Sequence, residues 1–289
     1  MTVYRALRYE EILEQVSTGR YVIAGLMFAV ALCLSAPADA ETFAEVLKKA
    51  QQNDAVAQFE LGVMYGTGEG ATQSDAEMLK WLQKAAEQGL ADAQYDLGVM
   101  YFAGERVTRN YAAAFKWFQK AAEQGLAKAQ YNFGLMYSKG LGVTQNDAEA
   151  VNWYRKSADQ GFALAQHNLG VLYVSGRGVT QSDVNAFKLF QKSAEQGHAD
   201  AQNNLAFMYA NARGVARNNV TAYSWLILAL AQTDPASPEY SDYVEFQETL
   251  RSRLSRSKIA EAERQAQEWG QKISKITVEP FLPIRLEKP

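Results

Sequence analysis

The chain has one cysteine, Cys33, and two histidines, His167 and His198, in 289 residues. A single thiol excludes an intramolecular disulfide framework. So small a supply of thiolate and imidazole also excludes thiolate zinc modules, His-rich metal sites and Cys–His hydrolases. No cofactor and no metal is expected on this ground. Proline is missing between Pro37 and Pro235, which leaves a long stretch free of helix breakers. An excess of one charge sign is missing too, since 29 basic against 32 acidic residues give a formal net charge of −3. The chain therefore has no overall attraction for phosphate backbones, and nucleic acid is not expected as a partner. With 48% apolar and 21% charged residues, the composition supplies a core and argues against disorder.

Long apolar runs are scarce. The clearest is Tyr21 to Leu34, 14 residues without a charge, where a spanning helix needs about 20. Arg20 precedes it, and the small residues Ala38 and Ala40 follow. This is the layout of a secretory signal peptide over residues 1–40, cleaved before Glu41. The reading places the mature protein in the periplasm or outside a bacterial cell, with no stable membrane insertion once the segment is removed. Cys33 leaves with it, and the mature chain keeps 26 basic and 28 acidic residues.

What is abundant is repetition. Gln58, Gln94, Gln130, Gln166 and Gln202 recur at 36-residue steps, as do Tyr65, Tyr101, Tyr137, Tyr173 and Tyr209. Gly62, Gly98, Gly134 and Gly170 form a third column that ends in Ala206; Trp81, Trp117, Trp153, Leu189 and Trp225 form a fourth. Within one unit, Gln58, Leu61, Gly62 and Tyr65 share one helical face, and Met78, Trp81, Leu82, Ala85 and Ala86 share another. Ser74 with Glu77 and Asn146 with Glu149 read as capping boxes that open second helices. Gly89, Gly125, Gly161 and Gly197 read as left-handed residues that close them. Gly68-Glu69-Gly70 and its equivalents mark the turn between the helices, and recur too regularly to be a phosphate cradle. A hairpin of this kind cannot bury its apolar face alone and must stack on its neighbours. The fold class expected is all-α, an α-solenoid of stacked helical hairpins.

The pattern AxAQxxLGxMYxxGxGV…AxxWxxKAAEQG resembles the Sel1-like repeat, a relative of the tetratricopeptide repeat with a longer loop between its helices. The expected organisation is a capping helix within residues 41–54, five 36-residue repeats over 55–233, capping helices over 234–276 and an extended tail over 277–289. Asn53 is read as a left-handed cap, and the C-terminal helices as Glu239 to Leu254 and Ser257 to Ile273. Ala206, Ala212 and Thr233 replace expected glycines in the fifth unit.

The resemblance implies a non-enzymatic adaptor whose first helices line a concave wall. Positions 56, 59, 60 and 63 then point away from the core. The residue after each glutamine runs Phe59, Tyr95, Tyr131, His167, Asn203, and the next runs Glu60, Asp96, Asn132, Asn168, Asn204. These ten are the candidate contacts for an extended protein or peptide partner: asparagine pairs with a peptide's N–H and C=O, and tyrosine offers rigid apolar area. An alternative reading is that they pack between first helices. His167 and His198 read as ordinary helix-surface and turn residues. No catalytic residues are expected, and no GxSxG elbow is present. Two other functions compete. Some cysteine-rich family members suggest a cell-wall or β-lactam-binding hydrolase, and a retained residue 21–34 segment would make a membrane-tethered scaffold. Envelope signalling or host contact is the setting that the resemblance implies.

Overall fold

The computed structural model describes residues 42–277. The expected signal segment, and the tail beyond Thr277 with Phe281, Leu282 and Ile284, lie outside them. The described residues hold thirteen helices. The described residues divide into two compact units, one ending at Asn146 and one beginning at Asp147.

In the first unit, α1 (Phe43–Gln51) precedes α2 (Ala55–Thr67), α3 (Asp75–Glu87), α4 (Ala91–Ala103), α5 (Tyr111–Glu123) and α6 (Ala127–Lys139). Successive helices pack on one another. The reason is the face predicted from spacing: Met78, Leu82, Ala85 and Ala86 of α3 join Ala93, Leu97 and Met100 of α4 in one apolar cluster. Helix α1 buries Val46 and Ala50 against Ala57, Leu61 and Trp81. Its Thr42–Glu45 capping box is complete: Thr42 N–H donates to Glu45 Oε2 over 2.8 Å, and Glu45 N–H donates to Thr42 Oγ1 over 3.4 Å.

The second unit holds α7 (Asp147–Asp159), α8 (Ala163–Ser175), α9 (Asp183–Glu195), α10 (Ala199–Asn211), α11 (Asn219–Gln232), α12 (Pro238–Arg251) and α13 (Arg256–Thr277). Helix α13 lays Ala262, Ala266 and Ile273 inward. Its Trp269 stacks on Trp225 of α11, ring centroids 4.6 Å apart.

The expected Ser74–Glu77 box needs correction. Ser74 Oγ does accept from Glu77 N–H, but the Glu77 carboxylate turns to Lys80 and Trp81. The N–H of the N-cap residue is already used. Ser74, Asn110, Asn146, Ser182 and Asn218 each donate it to the carbonyl of the column tyrosine nine residues earlier. That bond closes the inter-helix loop, so the carboxylate has no donor to reach.

The glycines follow the predicted geometry. Asn53, Gly89, Gly125, Gly161 and Gly197 all have positive φ, as left-handed helix ends require. Thr233 departs, ending α11 in an extended conformation. The second glycine of each loop has a packing task as well. A Cβ on Gly142, Gly178 or Gly214 would lie within 2.4 Å of backbone atoms of Tyr111, Asp147 or Asp183, at the start of the preceding repeat's second helix. Only a bare backbone fits there. Two of these contacts are flanked by bidentate ion pairs, Arg177 with Asp147 and Arg213 with Asp183. Arg106 takes the equivalent glycine's place with φ 63° and bridges Gly66 O and Asp75.

Candidate functional site

The first helices are held by the glutamine column. Each buried amide Nε2 donates to a carbonyl near the end of the second helix before it: Gln58 to Ala50, Gln94 to Ala86, Gln130 to Ala122, Gln166 to Ala158 and Gln202 to Ala194, over 3.0–3.2 Å. Four of the Oε1 atoms in turn accept from a second glutamine 30 residues later, Gln88 on Gln58, Gln124 on Gln94, Gln196 on Gln166 and Gln232 on Gln202. A buried amide so placed gives a helix-end carbonyl, which already accepts from the N–H of the left-handed residue after it, a second hydrogen bond that ties the next first helix to that end. The spacing showed this column; its role needed the fold.

That anchoring sets the rotation of each first helix and corrects the expected outward face. Val56 is 53% exposed and Glu60 is exposed, but Val63, Val99, Leu135 and Val171 are buried. Phe59 packs against the α3–α4 cluster. In the first unit the candidate residues touch one another across repeats. Asn132 Nδ2 donates to Tyr95 OH over 3.4 Å, and Lys128 sits 4.4 Å from the Tyr95 ring while paired with Asp92 at 2.9 Å. Tyr131 and Asn132 are half-buried.

Asp96 is not the open acid the sequence suggested: it is 5% exposed. No hydrogen bond reaches its carboxyl among the described residues. Burial pushes its pKa up to about 7, against the pull of Lys128, with Asp92 adding to the rise. A carboxyl in that state is close to half protonated near neutrality.

In the second unit the correction concerns histidine. His167 is 6% exposed, not a surface residue. Its Nδ1 contacts Asn168 Oδ1 at 3.2 Å and its Nε2 contacts Asn204 Nδ2 at 3.0 Å. With Nδ1–H donating, Nε2 accepts, and the ring is neutral. Asn168 also donates to Tyr154 OH, whereas Asn203 Oδ1 is buried without a partner. His198 caps α10, its Nδ1 accepting from Ala201 N–H, and its ring lies 4.8 Å from that of His167. Burial lowers both imidazole pKa values, that of His198 to about 4. Asp200 completes the group, accepting from Tyr243 OH of α12 over 2.9 Å. Neighbours 31 residues apart in sequence thus meet in space, because the glutamine column pairs positions 30 apart just beside them.

The surroundings of the first helices therefore offer recognition groups: half-buried Tyr and Asn side chains, a largely buried acid without a protein donor, and exposed charges. No helix among the described residues is long and apolar enough to cross a membrane.

Comparison with known proteins agrees with this architecture. The family model described as the Sel1 repeat matches residues 55–90, 91–126, 127–162, 163–198 and 199–234. A protective antigen of uropathogenic Escherichia coli, crystallised and displaying an SLR fold, is 30% identical with a TM-score of 0.70. The match covers 86% of this chain and 53% of the antigen, so the chain spans about half the antigen's length. A Sel1 repeat protein from Oxalobacter formigenes is 29% identical with a TM-score of 0.63, over 77% of this chain and 86% of that one. No curated protein matches the sequence.

Proposed function

The chain belongs to the Sel1 repeat family, and from that premise we propose that it is an exported, non-enzymatic adaptor holding an extended segment of a protein partner against its first helices. Sel1 repeats are protein-interaction modules. Recognition of this kind uses side chains preset by a rigid array, with no bond made or broken.

The observation that carries the reading is Asp96. A largely desolvated carboxyl that no protein donor reaches is costly in its charged form, and the array's own pattern offers asparagine at Asn132, Asn168 and Asn204 in its place. A partner that brings an N–H or a cationic side chain to α4 satisfies the acid. Tyr95 and Asn132 beside it supply flat apolar area and amide hydrogen bonds. Exposed Glu60 adds negative charge on the neighbouring α2 while Lys128 offsets Asp92, so the face suits a neutral or weakly basic segment.

Two measurements test this. The triple variant Tyr95→Ala/Tyr131→Ala/Asn132→Ala loses partner capture while its far-UV circular dichroism stays unchanged; capture at the parental level removes the assignment of this face. Export is tested by the mass of the protein from its native cell, which corresponds to a chain beginning at Glu41 if the N-terminal run is a cleaved signal.

A further inference from the structure

We propose that His167, His198 and Asp200 form a binding site for a divalent transition ion of the zinc class, independent of the partner surface on α4. The two imidazoles and the carboxylate each offer a ligand atom, and these atoms all lie within 4.8 Å of one another. Zinc holds nitrogen and oxygen donors at about 2.0–2.2 Å in a tetrahedron, which spaces the donors about 3.4 Å apart. Rotamer adjustments of an ångström or so therefore close the group on an ion.

The repeat itself does not call for imidazole at these positions. The position pair occupied by His167 and His198 holds Phe59 with Leu90, and Tyr95 with Leu126, in the first two units. Phe59 and Leu90 both pack against the first unit's apolar cluster. The third unit has Tyr131 with Phe162 and the fifth Asn203 with Asp234, so the position pair accepts several chemistries and the fourth unit fills it with two imidazoles. A pair of adjacent imidazoles that no other unit repeats marks a place where the local pattern is broken, as it is at functional sites. Two further groups fit an ion. Asn204 faces His167 Nε2, and rotation of its amide turns Oδ1 toward the same point as a fourth donor. Tyr243 OH holds Asp200, the outer hydrogen bond that orients a ligating carboxylate. Neutral imidazole nitrogens with a carboxylate and no thiolate suit zinc, and by the usual affinity order copper and nickel more strongly than manganese. Ion uptake displaces the His198–Ala201 cap, so it is coupled to the first turn of α10.

The test is equilibrium dialysis of the full chain, prepared without a histidine tag, against zinc chloride, with the metal content measured. One zinc per chain is expected at micromolar free metal, and cobalt in its place gives visible d–d absorption. His167→Tyr/His198→Leu restores the apolar pair of the second repeat and so keeps the fold, as circular dichroism checks. It abolishes this binding, and Asp200→Asn weakens it by at least about tenfold, the range in which metal-site substitutions fall. Hydrogen exchange at Ala201 speeds up when zinc is added. No zinc uptake by the parent, or equal uptake by the folded double variant, overturns the site.

Discussion

Adding one methyl group to the glycine column separates two positions that look identical in sequence. A Cβ on Gly98 would sit 2.6 Å from Cδ1 and Cε1 of Phe118, a ring 1% exposed. A Cβ on Gly62 would meet the more compliant Leu82 side chain at 3.0 Å. In the fifth unit Ala206 already stands opposite Leu226 in the same register, so alanine with leucine is a workable pair. Gly→Ala in a helix interior contributes about 1 kcal/mol through propensity. Overpacking a tight core costs about 1–3 kcal/mol, and a rigid ring with no free side belongs at the upper end. Gly98→Ala is therefore expected to lose about 2 kcal/mol net, and Gly62→Ala to stay within about 0.5 kcal/mol of the parent. Phe118→Leu makes room, so in the double variant the two changes couple favourably by at least about 1 kcal/mol. Urea unfolding followed by circular dichroism reads all four members of the cycle. If Gly98→Ala is as stable as the parent, or the coupling falls below about 0.5 kcal/mol, the close-approach account of this column is wrong.

Gln94→Leu removes the donor to Ala86 and the acceptor for Gln124; it is expected to lower stability by about 1–3 kcal/mol, with faster amide exchange at the end of α3. Arg213→Ala breaks an ion pair whose partners are each about a third exposed, so the cost is about 0.5–1 kcal/mol and shrinks in 1 M salt. Asp96 gives a pH signature. Its folded pKa, about 7, lies above the unfolded carboxyl value, so the folded state holds the extra proton and stability falls as pH rises from about 4 to 7. Asp96→Asn should therefore exceed the parent by at least about 1 kcal/mol at pH 8 and match it at pH 4, measured by urea midpoints. The histidine pair acts with the opposite sign. Its pKa values are depressed, so its contribution is present above about pH 6.5 and is lost as pH falls toward 4; His167→Tyr/His198→Leu flattens that limb.

The fold was legible because its period is long and its columns agree. Helix faces, left-handed glycines and the Thr42 cap all follow from spacing, and local chemistry decides them. The site was legible only in part. Which way Asp96 and His167 face depends on the rotation of the first helices, which the glutamine bonds set through contacts between residues 30 apart. The proximity of His167 to His198 has the same origin. The Ser74–Glu77 capping box failed because the long loop's bond to the tyrosine carbonyl already uses the N–H. A local pattern cannot register a competitor nine residues away.

The adaptor reading is tested most directly by photocrosslinking in the native cell. A photoreactive residue replaces Asp92, exposed on α4, or Lys84, exposed on α3 beside Trp81. The account expects one discrete adduct from position 92 that disappears when Asp96→Lys is added, and none from position 84. No adduct at position 92, or one that persists with Asp96→Lys in place, contradicts it.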